Sequence, residues 1–250
     1  MKAFFIVGHW NSGTTLLVDV LRKHPDLQLK RARFKPNLED RTVRKILWKM
    51  DADFPEFGEY EDVLKNGFAN YPEPDFNPEK LAEFRKRFIG KYGKNEKQFL
   101  LLKNPWLLFF SDLMQNAFAE DDTKFLFVIR DGRSQVSSKD YWLRSNTPQQ
   151  HLINRAGFWA RCMEYYFEHW HGHPNLLTIR YENLCSDPEG IFRQICEHRN
   201  IDFEPLKPHL PAAFENRMSK WNKIPDHLKP EVEKGIAEMQ VKINELFPVY

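Results

Sequence analysis

The sequence predicts an α/β fold in which a central, mostly parallel sheet carries helices on both faces. Four short apolar segments are predicted strands, at residues 3–7, 99–103, 124–129 and 176–179. Helical patterns separate these segments, and short apolar strands alternating with helices are typical of a parallel sheet covered on both sides. The 250 residues suffice to bury the core of one such domain.

The helices are predicted from the spacing of their apolar residues. After the first strand, apolar residues recur at three- and four-residue spacing from Leu16 to Leu21. Pro25 ends that helix, because proline disfavours helical geometry in the residue before it. Helices are predicted over residues 13–23, 41–49, 78–89, 106–118, 134–144, 149–170, 189–198 and 231–246. The stretch 51–77 is rich in proline, acidic and aromatic residues, has no periodic pattern, and is a candidate cap or acceptor-site region.

Composition excludes several classes of protein. The 37 Lys and Arg nearly balance the 35 Asp and Glu, so a net charge of +2 gives no reason to expect binding to nucleic acid or to an anionic membrane. Cys162, Cys185 and Cys196 have no Cys-x-x-Cys spacing and are expected to be buried, reduced thiols. No apolar run approaches the ~20 residues of a membrane span. We therefore expect a cytoplasmic protein, and the sequence leaves its oligomeric state open.

The first strand ends in a glycine-bearing turn that leads into a helix. The turn is Gly8-His9-Trp10-Asn11-Ser12-Gly13-Thr14-Thr15. Unpaired backbone N–H groups at a helix N-terminus favour an anion, and Gly13 lets the backbone approach it closely. Thr14 replaces the lysine of a Walker A loop, which disfavours an ordinary nucleoside triphosphate site. The competing interpretation is a plain helix N-cap by Ser12.

A second candidate anion site follows the strand at residues 124–129. This strand leads into Arg130-Asp131-Gly132-Arg133-Ser134-Gln135-Val136-Ser137-Ser138. Arg130 can form bidentate bonds to a phosphate, and the Ser138 hydroxyl can return toward the same anion. Taken alone, a pair such as Arg130-Asp131 is more often a structural ion pair, and the full segment favours the phosphate site. Arg133 is expected to be an ion-pair partner rather than a ligand.

These motifs, taken in order, resemble those of sulfotransferases that use 3'-phosphoadenosine 5'-phosphosulfate (PAPS), of the bacterial type. The turn resembles the family's 5'-phosphosulfate loop, and the Arg130 segment resembles its 3'-phosphate motif. A third segment around Tyr181-Glu182-Asn183-Leu184, before Asp187-Pro188-Glu189, is similar to one whose tyrosine contacts adenine in some members. The nucleotide-binding residues that the resemblance implies are Asn11, Ser12, Gly13, Thr14, Thr15, Arg130, Ser138 and Tyr181. The alternative for Tyr181 is a core aromatic residue.

The resemblance also implies the fold and the domain arrangement. It predicts a fold like that of the P-loop nucleoside triphosphatases and a single domain over residues 1–250. Residues 28–93 would be a cap or acceptor-site insertion. The expected partners are PAPS, with adenosine 3',5'-bisphosphate as the product, and a small-molecule, glycan or lipid acceptor that offers a hydroxyl or an amine.

The catalytic groups are less clearly indicated. Asn11 stands where the family often has a loop lysine or arginine, so the resemblance gives the main cationic role to Lys103, and a surface lysine is the alternative. Pro105 occupies the position of a histidine base in many relatives, which leaves His9 and Glu39 as equal candidates for the base. Sulfuryl transfer in the family needs no metal, and the alternating His169, His171 and His173 are expected to be a polar loop.

Two other functions remain open at this point. A P-loop-like small-molecule kinase would keep the first turn, but it predicts a Walker lysine and a carboxylate for Mg²⁺. A noncatalytic nucleotide-binding relative is suggested by Asn11 and by the absence of an evident base.

Overall fold

The computed structural model describes residues 2–29, 42–50, 77–92, 99–138 and 148–250. In these ranges five strands form one sheet in the order β2-β3-β1-β4-β5, and every neighbouring pair is parallel. The strands are β1 Lys2–Gly8, β2 Leu27–Leu29, β3 Phe99–Lys103, β4 Asp122–Ile129 and β5 Leu176–Arg180. The predicted parallel α/β sheet is confirmed.

Helices surround this sheet. The described α-helices are α1 Thr14–Leu21, α2 Thr42–Met50, α3 Pro78–Tyr92, α4 Ser111–Ala117, α5 Gly132–Val136, α6 Pro148–His169, α7 Tyr181–Ser186, α8 Pro188–Arg199 and α9 Lys229–Leu246. Short 3-10 helices span Pro105–Phe110, Lys207–His209, Arg217–Lys223 and Asp226–Leu228. No helix of the described ranges is both long and apolar enough to cross a membrane.

The core lies on both faces of the sheet. In β1, Ala3, Phe5 and Val7 belong to one buried cluster, whereas Phe4 and Ile6 belong to another. Helices α2, α3, α4, α6 and α9 contribute to the first cluster, and α1, α7 and α8 contribute to the second. Because both faces are covered, the strand sequences are continuously apolar rather than alternating. The three cysteines are buried free thiols, as predicted.

Several elements differ from the sequence-based expectation. Neither the three-residue edge strand β2 nor the short helix α7 is predicted, and the expected helix 106–118 begins as a 3-10 helix before α4. The helix expected at 134–144 instead spans Gly132–Val136. Its early start follows from Asp131, whose carboxylate accepts from the backbone N–H groups of Arg133 and Ser134.

The end of α5 also has a local cause. The hydroxyls of Ser137 and Ser138 donate to the carbonyls of Ser134 and Gln135. Such bonds compete with the helical backbone pattern and are common where helices bend or end. The remainder of the expected helix, residues 139–147, lies outside the described residues.

The sheet topology places the two candidate anion sites together. β1 and β4 are parallel neighbours, with Gly8 opposite Val128. The chain passes from β1 to β2 on one side of this pair and from β4 to β5 on the other. Ligands of open parallel sheets bind at such a divergence, beyond the carboxyl ends of the strands. The turns after β1 and β4 lie at that edge.

The proposed insertion, residues 28–93, is only partly described. Within it, α3 joins the main core, because the Phe88 ring lies 5.0 Å from Phe118 and 6.0 Å from Phe5 between centroids. Residues 30–41, 51–76 and 93–98 lie outside the described ranges. The assignment of this segment as a cap stays a prediction.

Candidate functional site

The turn after β1 ends at a helix start that has no side-chain cap. Gly13 is the N-cap of α1, at φ 102 and ψ 4, and no side chain accepts a hydrogen bond from the first helical turn. The Ser12 side chain is fully buried, and its Oγ has no hydrogen-bond partner among the described residues. The interpretation of Ser12 as a plain N-cap is therefore wrong. The backbone N–H groups at this helix start keep the arrangement that suits an anion.

Asn11 has a left-handed backbone conformation at the tip of the same turn. Its φ is 60, in the region that asparagine tolerates better than most residues. Its carbonyl oxygen accepts a hydrogen bond of 2.7 Å from Arg130 Nη1. The turn after β1 and the turn after β4 are thus in direct contact. Both turns face the same side of one sheet edge, which a single ligand spanning them requires.

Arg130 is not paired with its neighbour Asp131. The Asp131 carboxylate instead accepts from Arg133 at 3.1 Å and caps α5. This is the pairing expected of Arg133, and it leaves the structural ion pair between Arg130 and Asp131 unsupported. The Arg130 side chain is 5% exposed, and its Nε has no hydrogen-bond partner among the described residues.

The Tyr181 side chain packs against Arg130 and against the backbone of the turn after β1 at Gly13. Its ring faces the Arg130 guanidinium at 4.1 Å, within the range of a cation–π interaction. A Cβ atom added at Gly13 would lie 2.6 Å from Tyr181 Cε2 and closer still to Cδ2, so the turn rests on this ring. The hydroxyl donates to Glu215 O at 3.3 Å. With 4% of its surface exposed, Tyr181 is part of the core as well as of the site.

Lys103 joins the first turn from the adjacent strand. It ends β3, is 2% exposed, and donates from Nζ to Thr15 Oγ1 at 2.9 Å. The interpretation of Lys103 as a surface lysine is therefore wrong. A buried ammonium beside the start of α1 is placed to stabilise negative charge in this turn.

Of the two candidate bases, His9 lies within the described residues and Glu39 does not. His9 is 6% exposed, and its Nε2 has no hydrogen-bond partner in the described chain. The pKa of His9 is lowered to about 4, mainly by burial and further by the positive charge of Arg155. A hydrogen bond to the Trp10 carbonyl has the opposite effect and raises the pKa. An imidazole with that pKa is neutral at pH 7 and accepts a proton weakly. Glu39 lies outside the described residues.

A buried hydrogen-bond network links the turn after β1 to α5 and α6. Trp159 Nε1 can only donate, so its bond to Gln135 Oε1 fixes the orientation of that amide. Gln135 Nε2 then donates to Trp10 O in the first turn and lies 3.0 Å from His9 Nδ1. Gln135 therefore links the turn after β1 to the segment that follows β4.

The backbone carbonyl of Gln135 is shared by two further groups. It accepts from Ser138 Oγ at 2.6 Å and from Arg155 Nη2 at 3.0 Å, and Arg155 Nη2 also lies 3.2 Å from Ser138 Oγ. The sequence analysis missed Gln135 and Arg155. Polar residues in a helical pattern are expected to face solvent, and only their burial, at 3% and 6% exposed, distinguishes them.

No group of three or more histidine, cysteine, aspartate or glutamate side chains within the described ranges is arranged to hold a metal ion.

The family assignment agrees with this geometry. The profile of the Sulfotransferase family matches residues 3–205. Since this range covers most of the chain, the protein belongs to the sulfotransferase family, as the motifs predicted.

Two relatives carry the name protein-tyrosine sulfotransferase. The protein of Drosophila melanogaster is 25% identical in an alignment 251 residues long, which covers 90% of this chain and 42% of that protein. Protein-tyrosine sulfotransferase 1 of Danio rerio is 25% identical in an alignment 271 residues long, which covers 97% of this chain and 67% of that protein. The chain thus spans less than half of the Drosophila protein and about two thirds of the Danio protein.

A solved structure supports the same fold. The sulfotransferase domain from the Curacin biosynthetic pathway superposes with a TM-score of 0.58 at 17% identity, covering 95% of this chain and 97% of that domain. At this identity the likeness concerns the fold alone. That fold is the sulfotransferase fold, which resembles the P-loop nucleoside triphosphatases, as predicted.

Proposed function

We propose that this protein transfers a sulfuryl group from PAPS to a hydroxyl or an amine of an acceptor. The observation that carries the proposal is the contact between the turns after β1 and β4, made by the 2.7 Å bond from Arg130 Nη1 to Asn11 O. A donor that carries anionic groups at both ends of one nucleoside needs two anion-binding turns on the same side of the sheet. Membership of the sulfotransferase family supports the same donor.

The residues present fit such a donor. Ser12 Oγ and Arg130 Nε are buried polar atoms that lack a partner within the described residues. Leaving such atoms unsatisfied costs about 1–3 kcal/mol each, a cost that a bound anion would remove. The N–H groups at the start of α1, with Thr14 and Thr15, would bind the 5'-phosphosulfate. Arg130 and Ser138 would bind the 3'-phosphate, and Tyr181 would contact the adenine.

Catalysis would come mainly from positioning and charge stabilisation. When bound, PAPS supplies the sulfuryl group, whose sulfur bonds to the acceptor atom as its bond to the phosphate oxygen breaks. Lys103, held at Thr15, would stabilise the negative charge that develops on the leaving phosphate. Asn11 can donate a hydrogen bond there but carries no charge. The acceptor proton goes to a base, for which Glu39 remains a candidate and neutral His9 is a weaker one.

The test is turnover of PAPS on a panel of acceptors. Because two relatives are named protein-tyrosine sulfotransferase, the panel should include a tyrosine-containing peptide beside phenols, sugars, lipids and amines. We expect one acceptor class to be sulfated, with adenosine 3',5'-bisphosphate formed in equal amount. Wild type and Arg130→Ala should be compared, because the variant should lose affinity for the nucleotide while keeping its fold.

A noncatalytic nucleotide-binding relative is the second candidate function. The observation in its favour is Asn11, an uncharged residue in the turn where the family often has a cation. It predicts that adenosine 3',5'-bisphosphate binds while PAPS is not consumed with any acceptor, a result that would contradict the transferase. Stronger stabilisation by ATP with Mg²⁺ than by the bisphosphate would contradict both and favour a kinase.

A further inference from the structure

Arg155 occupies the inward face of α6, beside the end of the Arg130 segment. It is 6% exposed, and Ala156 and Trp159 on the same helix are fully buried. Burying a guanidinium costs stability unless polar or anionic groups compensate it. Residues that break the rule of an apolar interior are concentrated at functional sites. The position of Arg155 therefore suggests a role beyond helix packing.

The positive charge of Arg155 acts on the turn after β1. It contributes, after burial, to the lowered pKa of His9. Arg155 thus adds positive potential to this end of the candidate site.

Arg155 is also bonded to the hydroxyl that the family motif assigns to the 3'-phosphate. Ser138 Oγ has one proton, and in this structure the hydroxyl donates it to Gln135 O at 2.6 Å. To donate to a phosphate, the hydroxyl must turn away from that carbonyl. Arg155 Nη2 lies 3.0 Å from the Gln135 carbonyl and would still donate to that carbonyl once the Ser138 hydroxyl has rotated. Because Arg155 Nη2 lies 3.2 Å from Ser138 Oγ, a phosphate bound to the hydroxyl would lie next to the guanidinium.

We propose that Arg155 is a further ligand of the 3'-phosphate, acting together with Ser138 and Arg130. The proposal rests on the proposed function, because it presumes a nucleotide with a 3'-phosphate. An arginine suits this position because its planar fork can contact the Gln135 carbonyl and a phosphate oxygen at once. A lysine ammonium keeps the charge but lacks the fork.

The test is the ratio of dissociation constants for AMP and for adenosine 3',5'-bisphosphate, measured by titration calorimetry. The two probes differ only in the 3'-phosphate. In Arg155→Gln we expect this ratio to fall by on the order of ten- to a hundredfold, the value of a charge-assisted hydrogen bond, with the affinity for AMP nearly unchanged. Arg155→Lys should show a smaller loss.

A matched control is available on the same helix. Arg161 is half exposed and pairs with Glu164 at 2.7 Å, so Arg161→Gln should keep the wild-type ratio. Each variant is compared with wild type by circular dichroism and thermal unfolding, so that a folding defect is recognised.

The outcomes separate the two proposals. If wild type itself binds AMP as well as the bisphosphate, the proposed donor is wrong and the Arg155 proposal falls with it. If wild type prefers the bisphosphate and Arg155→Gln keeps the full preference, only the Arg155 proposal is overturned. An equal loss of affinity for both probes would also overturn it, because that result indicates a general structural role.

Discussion

Replacing Gly13 with alanine tests how the turn after β1 rests on Tyr181. Gly13 has φ +102, a conformation that residues with a Cβ rarely adopt, and the added methyl would lie 2.6 Å from Tyr181 Cε2 and closer to Cδ2. The ring cannot easily move, because it is 4% exposed, lies 4.1 Å from the Arg130 guanidinium, and donates its hydroxyl to Glu215 O. The backbone of the turn or the ring must therefore shift.

The expected cost has two parts. Forcing a residue with a Cβ into a left-handed conformation costs roughly 1–2 kcal/mol. Overpacking a well-filled region costs roughly a further 1–3 kcal/mol. Gly13→Ala should therefore lower the free energy of unfolding by about 2–5 kcal/mol, a large part of the ~5–15 kcal/mol typical of a domain. Urea denaturation followed by circular dichroism measures this loss.

Gly172 provides the matched control. It also has a positive φ, +83, but a Cβ added there would meet no atom within 4 Å. Gly172→Ala should show the conformational cost alone. In a Tyr181→Ala background the clash is absent, so the cost of Gly13→Ala should fall toward that of Gly172→Ala. Equal costs at Gly13 and Gly172, or an unchanged cost of Gly13→Ala in the Tyr181→Ala background, would refute the reasoning.

Three further predictions concern the same site. Burial keeps the pKa of folded His9 near 4, below its unfolded value of 6.5, so the unfolded state binds more protons between these values. Urea denaturation at pH 7 and at pH 5 should therefore show that wild type loses about 2 kcal/mol more stability on acidification than His9→Gln does. An equal loss of stability in the two proteins would contradict this prediction. Lys103→Met should lower PAPS turnover by on the order of 10²–10³ while the bisphosphate still binds in calorimetry, and unchanged turnover would remove Lys103 from the proposal. Asn11→Gly should be tolerated, whereas Asn11→Ala should cost about 1 kcal/mol because φ at this residue is 60; equal urea midpoints would contradict the strain.

The sheet could be predicted from the sequence because its strands are buried on both faces. Burial of both faces of β1 and β4 requires continuous apolar runs, and these runs are visible without a structure. β2 has only three residues, too few for a periodic signal, and its place at the sheet edge depends on pairing with β3. The short length of α5 depends on hydrogen bonds of serine side chains, which a helical pattern does not reveal.

The turns of the candidate site could also be predicted, because their chemistry depends on backbone geometry at strand ends. Glycine and small hydroxyl residues between a strand and a helix mark such a turn directly. The network around Gln135 could not be predicted. It brings together His9, Gln135 and Arg155, and their contacts arise only when the turn after β1 and α6 both pack on α5.

The burial of His9 illustrates the same limit. A histidine in a phosphate-binding turn is a reasonable candidate for a base when only residue types are known. Its enclosure and the nearby charge of Arg155 lower the pKa of the imidazole, and both depend on tertiary packing. Sequence reasoning therefore identified two turns that lie in contact in the structure, while leaving the protonation state of His9 undetermined.

A co-crystal structure with adenosine 3',5'-bisphosphate tests the central claim most directly. We predict the 5'-phosphate at the backbone N–H groups of Gly13, Thr14 and Thr15, and the 3'-phosphate within hydrogen-bond distance of Arg130 and Ser138. A nucleotide bound with either phosphate away from its turn, or at another edge of the sheet, would contradict the account.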